Sequence, residues 1–129
     1  MDFQTKEFLY EEDSYKIIGI LFEVHKNLGR GFSEIVYKDA SEYEFKTAGI
    51  PYEREKEYSV QYKDITLGHK FYADFVVFEK IILEVKSCDN LINVHTSQCL
   101  NYLKVSGNNL AILANCNSRS LEHKRIISQ

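Results

Sequence analysis

FYADFVVFEKIILEVKS, residues Phe71 to Ser87, reads as a β-hairpin whose two arms are rich in β-branched and aromatic residues. One arm carries an acid, Asp74, and the other an acid two residues before a lysine, Glu84 and Lys86. Side chains alternate along a strand, so Ile82, Glu84 and Lys86 share one face while Ile81, Leu83 and Val85 share the other, which has the composition of a core face. An unpaired charge in so apolar a strand costs on the order of several kcal/mol to desolvate, so these charges need partners. If Phe78, Glu79 and Lys80 form the loop, Asp74 falls opposite Glu84, and two carboxylates and an ammonium converge on one patch. Carboxylates that close repel unless a cation lies between them, and a hard divalent cation suits such oxygens. A two-residue turn at Glu79 and Lys80 would instead place the two acids on opposite faces. Taken alone, Glu84-x-Lys86 reads as a solvated surface ion pair, worth at most about 1 kcal/mol.

The remainder of the chain bounds what the hairpin can serve. A length of 129 residues, 44% hydrophobic and 27% charged with one proline, fits a single globular domain with a real core, spanning residues 1–129. No apolar run approaches the ~18 residues of a membrane span, and the acidic start MDFQTKEFLYEEDS lacks the character of a signal peptide. A cytoplasmic protein with no membrane contact is expected, with residues 1–13 as a peripheral N-terminal segment. Cys88, Cys99 and Cys116 show no C-x-x-C spacing, which argues against zinc, an iron–sulfur cluster or a disulfide framework. A net charge of −3 supplies no general attraction for nucleic acid, so any such binding rests on a local patch or on metal ions.

Periodicity then orders the elements. Ile17, Ile18, Leu21, Phe22, Val24 and Leu28 recur at helical spacing from Ser14 to Leu28, with Asp13 or Ser14 as cap and Gly29 as stop. A second helix from about Ser33 to Ala48 ends at Gly49 and is followed by Pro51; Glu34 sits in its first turn and Tyr37 one turn on. Tyr58, Val60 and Tyr62 alternate as a strand, and a turn through Asp64 to Gly68 leads into the hairpin. A third helix is expected from about Leu91 to Val105, capped by Asp89 or Asn90, with Gln98 and Tyr102 one turn apart. Leu110 to Ala114 is a short apolar run suited to a strand buried on both faces, and Leu121 to Ile127 to a last edge strand. The order α-α-β-β-β-α-β, with a possible final β, gives class α/β: one mixed sheet with helices packed on it.

Gly31-Phe32-Ser33-Glu34-Ile35-Val36-Tyr37 matches the Gly-x-x-Glu-x-x-Tyr signature of the GxxExxY protein family, and Asp74, Glu84-Val85-Lys86 and Gln98-x-x-x-Tyr102-Leu103 follow in the order expected there. That family resembles the PD-(D/E)XK nuclease superfamily, with its restriction-endonuclease-like mixed sheet flanked by helices. The resemblance implies a divalent-metal-dependent nuclease acting on nucleic acid, DNA favoured over RNA, with one or two Mg²⁺ or Mn²⁺ ions. It implies Asp74, Glu84, the Val85 carbonyl and Glu34 as metal ligands, and Lys86 with the same three acids as the catalytic group. Gln98 and Tyr102 would contact substrate; Tyr37 as a stacking surface and Lys104, Arg30, His123, Lys124 and Arg125 along the strand's path are further candidates. In three respects the chain departs from the superfamily pattern, the first being that the cysteine cluster some exonuclease-like members use for an iron–sulfur centre is absent. Ala73 stands where the superfamily motif has proline, and Asn115-Cys116-Asn117 where relatives often carry Asn-Phe-Gly. A nuclease-derived module that docks on a protein or nucleic acid without catalysis, a structural subunit in which Glu84 pairs only with Lys86, and a homodimer or larger assembly are the alternatives to test.

Overall fold

Three consecutive apolar strand segments, Phe75–Val77, Ile81–Val85 and Leu110–Asn115, are buried along their whole length and form the centre of the molecule. The structure, a computed structural model, describes residues 9–128; residues 1–8 of the expected N-terminal segment lie outside the described residues. The elements are α1 (Glu11–Leu28), α2 (Glu34–Ala48), β1 (Tyr52–Tyr62), β2 (Ile65–Val77), β3 (Ile81–Lys86), α3 (Asn93–Ser106), β4 (Leu110–Asn115) and β5 (Glu122–Ile127). The sheet runs β1-β2-β3-β4-β5, antiparallel except for the parallel β3–β4 pair that α3 connects. The order is the one the sequence predicts, with the last strand present.

Each face of the sheet carries its own core. Phe75, Val77, Ile81, Leu83 and Val85 pack with Leu110, Ile112 and Ala114 against Ile17, Leu21 and Val24 of α1 and Tyr37 and Phe45 of α2. Val76, Ile82, Ala111, Leu113 and Ile126 pack against Cys99 and Leu103 of α3. Burying a large apolar side chain stabilises by about 1.5–3 kcal/mol, so this double-sided packing holds β3 and β4 firmly in place. The three cysteines are free thiols, Cys99 and Cys116 buried and Cys88 half-buried.

Several boundaries differ from expectation. Helix α1 begins at Glu11 rather than Ser14, because Glu11, Glu12 and Asp13 favour the positive end of the helix dipole and extend its first turn. Part of the expected peripheral segment is therefore helix. The β1–β2 turn is the tight pair Lys63-Asp64, and Gly68 lies within an exposed stretch of β2. Helix α3 starts at Asn93, its entry fixed by His95 Nδ1, which accepts the N–H of Ile92 at 3.0 Å. Among the described residues no helix is long and apolar enough to cross a membrane.

Candidate active site

The hairpin loop settles the register on which the site depends. Phe78, Glu79 and Lys80 form the turn, with Phe78 and Glu79 both left-handed at φ 55° and 62°. Phe75 pairs with Leu83, Val76 with Ile82 and Val77 with Ile81; one residue further, Asp74 stands opposite Glu84. There the backbone ladder gives way to side chains. The N–H of Asp74 donates to Glu84 Oε2 at 2.7 Å, and the N–H of Val85 donates to Asp74 Oδ2 at 2.9 Å. Each carboxylate therefore sits in the gap between the strands, bonded to the opposite strand's backbone. Asp74 is 7% and Glu84 2% exposed, so these hydrogen bonds replace water for both acids.

The second oxygen of Asp74 faces a cation from α2. Lys38 Nζ lies 2.9 Å from Asp74 Oδ1 and 3.3 Å from Glu55 Oε1. Burial pushes the Lys38 ammonium down, but Asp74 and then Glu55 outweigh it and hold its pKa above the ordinary value. Glu55 has left-handed backbone at φ 53° within β1, an uncommon conformation for a side-chain-bearing residue, in line with Asp74 where the β1–β2 pairing is interrupted. Lys38 and Glu55 were not visible in the sequence reading. Lys38 has a usable signal, since it lies one turn after Glu34 on the same helix face.

Glu84 is the strongly perturbed acid. Burial first, then the charge of Asp74, pushes its pKa up to about 8, and the nearby ammoniums of Lys86 and Lys38 offset only part of this. From the α3 side, burial pushes the Cys99 thiol up to about 12, with Glu84 and Asp74 adding to the shift. Tyr102 is raised in the same way by burial, Glu84 and Asp74, and its ring meets Phe71 edge-on at 6.1 Å. Cys99 and Tyr102 thus border the acid pair, whereas Gln98 points to solvent. Lys86 is half-buried at the end of β3; among the described residues it forms no ion pair with Glu84, contrary to the structural-subunit reading.

Other candidates are placed apart from the pair. Glu34 is half-buried and lies with Glu122 near Cys88, whose thiol is pushed up by burial and then by those two acids. Among the described residues no three His, Cys, Asp or Glu side chains are gathered closely enough to hold a metal ion, so Glu34 does not join Asp74 and Glu84 here. The donor chemistry of the pair itself suits a hard cation: two carboxylates in a buried gap, with Lys38 already supplying positive charge to one. Tyr37, expected as a stacking surface, has a fully buried ring. Its hydroxyl donates to Gly29 O at 2.7 Å and accepts the Phe32 N–H at 3.3 Å, locking the link between α1 and α2. No ring face is open to a base. Gly31 in that link has φ 109°, a region that favours glycine, so the Gly, Glu and Tyr of the signature serve a turn, a half-buried acid and a lock.

Basic residues of the expected path are scattered. Lys104 is exposed and borders a cleft of about 470 Å³ between α3 and the β1–β2 ribbon. Arg125 donates to the Leu9 carbonyl, and His123 packs edge-on against Phe22 at 5.9 Å. The end of β3 is instead organised by Asn115, which the sequence marks only as part of the loop after the apolar run of β4 and whose side chain is buried. Its Oδ1 accepts the N–H groups of Cys88 and Asn117, each at 3.1 Å, and its Nδ2 donates to Cys88 O at 2.9 Å and Glu122 Oε1 at 3.1 Å.

No curated protein matches the chain. A solved structure described as "Crystal structure of SSO0001" superposes with a TM-score of 0.58 at 18% identity, covering 72% of this chain and 48% of that one. The chain thus spans about half the length of that protein, and the likeness is one of fold. It supports a restriction-endonuclease-like arrangement of the mixed sheet. The family model described as the PD-(D/E)XK nuclease superfamily matches residues 11–126, which takes in the hairpin acids, Lys86 and every helix and strand up to β5. With an acid on each arm of the hairpin and a lysine two residues beyond the second, the chain belongs to the PD-(D/E)XK nuclease superfamily.

Proposed function

We propose that the protein is a divalent-metal-dependent nuclease that hydrolyses phosphodiesters of nucleic acid, and that it belongs to the GxxExxY branch of its superfamily. The observation that carries this is the pair of crossed backbone bonds that keeps Asp74 and Glu84 together in a buried gap, two residues from Lys86. Burying two neighbouring acids is costly unless the site has a cationic purpose. Asp74 and Glu84 would hold Mg²⁺ or Mn²⁺, with the Val85 carbonyl close by. When bound, such an ion supplies Lewis-acid stabilisation of phosphoryl charge and an acidified water. Lys86 contributes a fixed positive charge where negative charge develops, and Lys38, 2.9 Å from Asp74 Oδ1, orients that side chain. Tyr102 forms the wall on the α3 side and limits the access of water.

Incubation with single- and double-stranded DNA and RNA in Mg²⁺ or Mn²⁺ tests this. Metal-dependent cleavage, lowered about 10²-fold or more in Lys86→Ala, is expected by analogy with the loss of one preorganised stabilising group. No cleavage, or equal cleavage by the variant, refutes it. A second reading, a catalytically silent module that docks on a partner, is favoured by one observation: Lys38 occupies Asp74 as its cation while Glu34 stands apart. Calorimetric titration with Mn²⁺ separates the two, since only the nuclease requires metal at the acid pair.

A further inference from the structure

We infer, on the premise that the acid pair hydrolyses phosphodiesters, that the cleft beyond the carboxyl ends of β3 and β4 binds a backbone phosphate of the same nucleic-acid strand through Arg30 and Arg119. The cleft has a volume of about 520 Å³ and draws on three separate loops: Arg30 from the α1–α2 link, Asp89 and Asn90 after β3, and Asn117 and Arg119 after β4. Both guanidiniums are exposed, and among the described residues neither has an ion-pair partner. Arg54, by contrast, is held by Asp39 and Glu42 at 2.8 and 2.9 Å. Two unpaired guanidiniums against one carboxylate, with Asn90 and Asn117 as neutral donors, form a local basic patch on a chain of net charge −3.

The floor of the cleft is rigid. Asn115, wholly buried, pins the β3–α3 loop at Cys88 and the β4–β5 loop at Asn117. The N–H of Gly31 donates to Asn117 Oδ1 at 3.1 Å, and Ser87 Oγ donates to Phe32 O at 2.6 Å, which fastens the third loop to the other two. Arg30 and Arg119 therefore project from a preorganised frame. Position also fits. Asp89 follows Lys86 by three residues, at most about 10 Å of extended chain, which is a few nucleotides of a strand. The carboxyl ends of parallel strands, where a crossover begins, are where open α/β sheets place their ligands.

The experiment is fluorescence anisotropy of labelled single-stranded DNA and RNA against salt concentration in EDTA, for the wild type, Arg30→Gln/Arg119→Gln and the charge-matched control Lys26→Gln/Lys46→Gln. Circular dichroism checks that each variant is folded. Loss of two phosphate contacts should lower the slope of log affinity against log salt by about 1.4 and weaken binding several-fold at low salt, with the control unchanged. An arginine variant that binds like the wild type, or a control that loses as much, overturns the inference. Cleavage by the wild type in Mn²⁺ would then still stand, so failure here is distinct from failure of the nuclease. Arginine-dependent binding without any cleavage keeps the cleft and removes the catalytic premise.

Discussion

Replacing Glu84 with glutamine tests the burial of the acid pair directly, because the amide keeps an acceptor for the Asp74 N–H and removes the titration. The Glu84 carboxyl is raised from 4.5 to about 8, first by burial and then by Asp74. Between those values the folded state holds a proton that the unfolded chain has released. Stability from this group is therefore complete below about pH 4.5 and is lost as pH rises through about 8. At ~1.4 kcal/mol per pH unit the loss has an upper bound of about 5 kcal/mol, comparable to the whole stability of a marginal domain. Urea unfolding in EDTA at intervals from pH 4.5 to 9 measures it. The advantage of Glu84→Gln over the wild type should grow with pH across this window and level off above it. At pH 9 the variant should be more stable by a few kcal/mol. A difference that does not change with pH would refute the assignment of Glu84 as a desolvated acid.

Other substitutions probe the neighbours. Tyr37→Phe leaves the Gly29 carbonyl and the Phe32 N–H without the hydroxyl between them; thermal unfolding should show a loss of about 1–2 kcal/mol, with nucleic-acid affinity unaltered. Reduced affinity at unchanged stability would instead restore Tyr37 as a contact. Lys38→Met removes the cation from buried Asp74 and should destabilise the metal-free protein by about 3 kcal/mol, part of which Mn²⁺ recovers in a thermal-shift assay. Equal stability of the two proteins in EDTA would contradict it. Asn115→Ala strips the fork that joins the loops after β3 and β4 and should cost at least ~2 kcal/mol in urea, together with the salt-sensitive part of nucleic-acid binding.

The hairpin was legible because burial leaves little freedom of register. Each arm must turn one set of alternate apolar side chains to α1 and α2 and the other set to α3, and a slip by one residue would have put Ile82 and Leu83 on the wrong sides. The same constraint made β4 readable as a strand buried on both faces. Exposed elements carried no such signal. The whole segment from Gln61 to Lys70 is solvent-exposed, so nothing in its pattern distinguished a turn at Lys63-Asp64 from one nearer Gly68. Within the site, Asp74, Glu84 and Lys86 could be placed from strand alternation once Phe78, Glu79 and Lys80 are taken as the loop. Lys38 and Glu55 could not, because their meeting depends on how α2 lies across β1 and on a left-handed residue inside a strand. Asn115 was hidden for a related reason: a lone asparagine after an apolar run reads as a turn former, and its role emerges only when two loops close around it.

The crossed amide contacts of Asp74 and Glu84 give these residues a second duty besides any chemistry. They finish the pairing of β2 with β3 where the main chain ceases to do so. A chain of this fold without hydrolytic activity would still be pressed to keep both acids, or their amides, to close the sheet. Lys86 bears no comparable architectural obligation, which makes its side chain the better marker of whether a chain of this design still cuts.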